Sequence, residues 1–100
     1  MAFNEVKVKA IDCIKNGHVR HIERDIGKNM FAVGDFTPEE MILIIGACRG
    51  DWYNSRKHHF LEVDVHILKP RGKYDGLYIK FFFIEPDILF ISVHESDYKG

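Results

Sequence analysis

The sequence predicts an α+β fold, with helices packed on an antiparallel sheet whose C-terminal three strands are consecutive. Three observations lead there. Apolar residues recur at helical spacing near the N terminus, a capped helix start stands at Thr37, and three alternating or β-branched and aromatic runs follow one another from Phe60 onward. At 100 residues the chain has the length of one domain, 1–100, with room for one sheet and its covering helices but not for two independent cores.

Val6, Ala10, Ile11 and Ile14 share a helical stripe and Gly17 supplies a stop, so a helix is expected from Asn4 to Asn16 with Ala10 and Ile14 facing the core. His18-Val19-Arg20-His21-Ile22 alternates like a short strand, and Asp25 to Asn29 reads as a turn before Met30 to Val33. Thr37-Pro38-Glu39-Glu40 joins a capping threonine, a proline in the first turn and a glutamate three residues on, which opens a helix expected to reach Ala47 or Cys48. Its nearly continuous apolar content, Met41 to Ile45, predicts burial on more than one side. Strands are expected over Phe60 to Lys69, Gly76 to Glu85 and Ile88 to Glu95, joined by turn-forming residues at 70–75 and at Glu85-Pro86-Asp87. Ser96 to Gly100 reads as a tail.

Hydrophobic residues make up 46% of the chain and charged residues 29%, a balance that sets aside a disordered tail or a fibre. The formal charge is −1, so any nucleic-acid site must come from a local patch and not from a global basic field. Cys13 and Cys48 have no metal-like spacing and are expected as buried free thiols. No apolar run approaches a membrane span and Met1 to Glu5 lacks a signal pattern, so no membrane partner and a cytoplasmic address are expected.

Alternation along the strands predicts that Leu61, Val63, Val65 and Ile67 face the core, which puts His66 on the other face. Tyr78, Lys80, Ser92 and His94 join it there, and Phe82 and Phe90 fall on the same side. Metal-independent RNA cleavage needs a base for the 2′-OH proton, an acid for the leaving oxygen, and a cation or donor for the phosphate. Histidine, tyrosine and lysine can fill those roles, although a polar outer face is also what any antiparallel sheet shows to water. Arg56, Lys57, His58 and His59 form a basic run able to track phosphates or to be a solvated loop, and Arg71 and Lys73 carry the same two readings. His18 with His21, or His58 and His59 with Glu62 and Asp64, lack a recognised metal-ligand spacing, so no metal or other cofactor is expected.

The run Gly17-His18-Val19-Arg20, the segment Ile44-Ile45-Gly46, Asp51-Trp52-Tyr53-Asn54-Ser55, Asp64-Val65-His66, Pro70, Gly76-Leu77-Tyr78-Ile79-Lys80 and Asp87 to Ser92 together resemble the MqsR toxins, in order and spacing through most of the chain. The resemblance implies a RelE-like fold and the role of toxin in a type II toxin-antitoxin pair. It implies a sequence-selective endoribonuclease that cuts mRNA at GCU-like sites without a cofactor and is neutralised by a cognate antitoxin protein. It also places the family's tyrosine on Tyr78, its late lysine on His94 and its glutamine at or close to His66. Asn54 stands where the family has a lysine, and Arg56 where it has a methionine, so catalytic charge is expected to have moved to Arg56 or Lys57.

The expected site is therefore His66, Tyr78, Lys80, His94 and Arg56 for catalysis, with Asn54, Lys57 and Arg71 binding RNA. His66 or His94 exchanges protons, Tyr78 positions or protonates the scissile phosphate, and Lys80 or Arg56 stabilises its charge. Single-stranded RNA is the expected substrate, because its bases can splay onto Trp52, Tyr53 or Phe82. Two rivals are a non-catalytic module that docks a protein or RNA through the same face, and a metal-dependent nuclease built on His58, Glu62, Asp64 and His66.

Overall fold

A computed structural model describes residues 2–23 and 26–95. Asp25 of the expected turn and the Ser96 to Gly100 tail lie outside the described residues. The first helix, α1, runs Phe3–Lys15, with the Glu5 carboxylate accepting a hydrogen bond from the Ala2 N–H. It ends where Gly17 adopts φ +73°, which lets the His18 N–H reach back to the Cys13 carbonyl at 2.9 Å. The second, α2, spans Pro38–Ala47. Thr37 Oγ1 accepts from the Glu40 N–H while Glu40 Oε1 accepts from the Thr37 N–H, the reciprocal cap expected from the sequence.

Five strands follow the order β1-β5-β4-β3-β2: β1 (Val19–His21), β2 (Tyr53–Lys57), β3 (Asp64–Leu68), β4 (Leu77–Ile84) and β5 (Asp87–Glu95). β2 to β5 are antiparallel neighbours and β1 lies parallel to β5, so the α+β class stands but the sheet is mixed, not wholly antiparallel. The polar segment Tyr53-Asn54-Ser55-Arg56-Lys57 is an additional strand. It pairs through its backbone and buries almost nothing, so no apolar alternation announced it. The first expected strand is shorter than its apolar run, because Phe60 to Val63 belong to the β2–β3 connection.

Both helices pack on one face of the sheet. Val6, Ala10 and Ile14 of α1 and Met41, Ile44 and Ile45 of α2 meet Leu68, Ile79, Phe81, Ile88, Phe90 and Val93 in a single buried cluster. Cys13 and Cys48 are buried free thiols. Burial of α2 is one-sided, since Leu43 is exposed.

Paired residues on neighbouring strands point to the same face, so the register assigns the faces directly. His66 pairs with Phe81 and Leu68 with Ile79, which places His66 on the helix side and Val65 and Ile67 on the opposite, open side. The expected facing of β3 is thus reversed. Val65, His66, Ile67 and Leu68 are all buried, so hydrophobic pattern carried no information about which side faced the helices. In β5 the register slips between Lys80–Ser92 and Phe81–Phe90, leaving Ile91 as an extra residue. That bulge lets Phe90 and Val93 both enter the core while Ser92 and His94 remain on the open face, and it moves Phe90 off the face where alternation had put it.

Candidate active site

The open face carries two adjoining ranks of side chains. Tyr78 of β4 and His94 of β5 are direct cross-strand partners, their rings stacked at 5.3 Å between centroids and 21° from parallel. The next rank runs Asn54, Ile67, Lys80, Ser92 across four strands. Arg56 lies one step further along β2, opposite Val65. Ile67, Val65 and Phe82 are buried although they turn away from the helices, so the site has an apolar floor with polar groups standing on it.

His94 Nδ1 lies 3.0 Å from the Glu95 carbonyl oxygen. A carbonyl only accepts, so Nδ1 carries the hydrogen and Nε2 keeps the lone pair that can take a proton. Burial pushes the Lys80 ammonium below its ordinary range, and the nearby Arg56 guanidinium pushes it the same way. Neither cation forms an ion pair among the described residues. Two like charges converging over an apolar floor is unfavourable until an anion joins them, and a phosphodiester would relieve it.

Lys69, which sequence reasoning did not nominate, belongs here. It extends the Val65–Ile67 side of β3, its N–H donates to the Trp52 carbonyl at 2.9 Å, and its Nζ stands 6.0 Å from the Tyr78 ring centroid. A signal was available: the residue before a proline is held extended, so Lys69 before Pro70 continues the strand's alternation.

Tyr78, Lys80, His94, Arg56 and Asn54 therefore share one face, and His66 does not join them. It is 4% exposed on the helix side, with Nδ1 2.8 Å from the Tyr53 hydroxyl and its ring stacked on Tyr53 at 5.8 Å and 22°. Phe81 and Phe83 pack around it, and burial lowers its basicity against a smaller opposing pull from Asp64. Lys57 pairs with Asp64 at 3.2 Å, one step from His66 in the same register and away from the open face. Arg71 is exposed just ahead of the helical turn Gly72–Tyr74.

Trp52 and Tyr53 pack against the core cluster and Phe82 is 3% exposed, so the three rings nominated for base stacking are engaged elsewhere. Among the described residues no three His, Cys, Asp or Glu side chains are grouped to hold a metal ion. No helix there is long and apolar enough to cross a membrane. Comparison with protein-family models, curated proteins and solved structures gave no match, so the site is read from its own geometry.

Proposed function

We propose that the open sheet face is the active centre of a metal-independent endoribonuclease acting on single-stranded mRNA. The observation that carries this reading is the stacked Tyr78–His94 pair standing one rank from Lys80, a cation that in turn neighbours Arg56. His94 Nε2 takes the proton from the 2′-OH as its oxygen bonds to phosphorus. The P–O5′ bond breaks, and the Tyr78 hydroxyl protonates the departing 5′ oxygen. Lys80 holds the extra negative charge of the pentacoordinate phosphate, with Arg56 adding to the positive field from further along the face, and a 2′,3′-cyclic phosphate and a 5′-hydroxyl result. Proton return from His94 to the Tyr78 oxygen, directly or through water, restores the site. Base, acid and cations are all side chains, so the scheme needs no metal.

The likeness to MqsR toxins supports the same reading, with a RelE-like fold, a cytoplasmic site of action and a cognate antitoxin as partner. Asn54, uncharged where that family has lysine, favours a second reading in which the face only binds. One experiment separates them: incubate a defined transcript in EDTA with the wild-type protein, Tyr78→Phe and His94→Ala, and map the ends. Cuts at a short recurring sequence, lost in both variants, are expected. A folded wild-type protein that leaves the transcript intact would move the assignment to the binding module.

A further inference from the structure

We infer that the β2–β3 loop is a base-stacking subsite for single-stranded RNA, with Phe60 as its platform; this rests on the ribonuclease reading of the adjoining face. Phe60 is 92% exposed, the most exposed of the large hydrophobic side chains among the described residues. A phenyl ring left in water forfeits burial energy that a stacked nucleobase recovers. The backbone that carries the ring is held in place. His58 Nδ1 accepts the N–H groups of both Phe60 and Leu61, at 3.0 and 3.1 Å, and the His58 N–H donates to the Val63 carbonyl at 3.0 Å. With His58 and His59 rings 6.3 and 6.2 Å from it, Phe60 borders a hollow of about 470 Å³ lined also by Lys57, Leu61 and Glu62.

The loop is continuous with the candidate site. His58 packs edge-on against Phe82 at 5.3 Å, and Phe82 lies on the open face four residues along β4 from Tyr78. A strand advances about 3.3 Å per residue, so the path from Tyr78 to Phe82 is about 13 Å, with Lys80 midway and Arg56 alongside. An RNA strand whose scissile phosphate sits at Tyr78–His94 thus passes Lys80 and then Arg56 before reaching Phe60. The chemistry selects a nucleobase in a flexible single strand: a flat π-face for the ring and a phosphate for Arg56.

The test is binding of a 2′-O-methyl oligonucleotide, which cannot be cut, to wild type, Phe60→Ala, Phe60→Leu and Phe60→Trp, beside cleavage of a transcript and of a dinucleotide. Phe60→Ala and Phe60→Leu should both bind about tenfold more weakly, and Phe60→Trp at least as well as wild type. Transcript KM should rise in the first two with kcat and dinucleotide cleavage unchanged. Unaltered affinity in Phe60→Ala overturns the subsite. A wild-type protein that binds the oligonucleotide but cuts nothing, with Phe60→Ala weaker, keeps the subsite and removes only the catalytic reading. Absence of binding by wild type overturns both.

Discussion

Tyr78 and His94 are register partners across β4 and β5, and the bulge at Ile91 is what allows it, because without the extra residue Phe90 and Val93 could not both face the helices. The proposed acid and base are held by paired backbone in the middle of a sheet, the kind of support that fixes side-chain geometry.

Removing either member should stop the chemistry without unfolding the protein. Tyr78→Phe and His94→Gln are each expected to lower kcat on a defined transcript by about 10²- to 10⁴-fold, the range for losing a general acid or base. Thermal melts should be nearly unchanged, since both side chains are only half-buried.

Lys80 should give RNA binding a pH dependence of its own. Bound phosphate favours the ammonium form, while burial and Arg56 depress it in the free protein. Affinity should therefore fall as pH rises through a value below the ordinary 10.5 of lysine. Lys80→Arg should push that loss to higher pH. Lys80→Met should reduce the slope of log K against log salt by about 0.7, the share of one neutralised phosphate on a single strand. Oligonucleotide titrations across pH and salt read both.

Lys69, just beyond β3, stands over the same tyrosine. Lys69→Gln is expected to lower transcript cleavage while leaving thermal stability unchanged, because the side chain is exposed and its backbone bond to Trp52 remains. Recovery in Lys69→Arg would identify the cation over the ring as the working feature.

His66 should control stability instead of chemistry. Tyr53→Phe leaves Nδ1 of a buried imidazole without its partner at a cost of about 1–3 kcal/mol, seen as a lower urea midpoint with cleavage retained. Burial lowers the folded-state pKa of His66 below the 6.5 of the unfolded chain. Between those two values the unfolded chain holds the extra proton. Stability should thus be full above pH 6.5 and decline as pH falls through that window, by at most about 1.4 kcal/mol per pH unit. His21, also lowered by burial and bonded through Nδ1 to Asn29, acts in the same direction. His66→Phe should flatten the dependence in pH-resolved urea melts.

Cys48 should be chemically silent while the chain is folded. Burial raises its thiol to about 11, and Sγ is bonded to the Ile44 carbonyl. Neutral iodoacetamide should label it only after denaturant is added, as mass spectrometry would show.

How much of this was legible depended on where polarity tracks burial. Both long helices, the Thr37 cap and the three C-terminal strands were, because caps and periodicity are local chemistry. The partners Tyr78, Lys80 and His94 were legible because Leu77 to Lys80 in β4 and Ser92 to His94 in β5 alternate between polar and apolar residues. β3 offered no such contrast, so His66 was placed on the wrong side, and only its pairing with Phe81 decides the matter. β2 was invisible because an exposed edge strand is defined by backbone partners that composition does not encode. The bulge at Ile91 escaped for the same reason: a register slip belongs to two strands at once.

The parallel pairing of β1 with β5 sets the order in which the molecule can mature. β1 is the first of the described strands along the chain, yet its hydrogen-bonding partner is the last of them, and pairings so distant along the chain close slowly. His94 arrives on that same strand. A nascent chain short of Asp87 holds Tyr78 and Lys80 without the imidazole or the strand that shields β4, so the Tyr78–His94 pair and the completed described sheet arrive together.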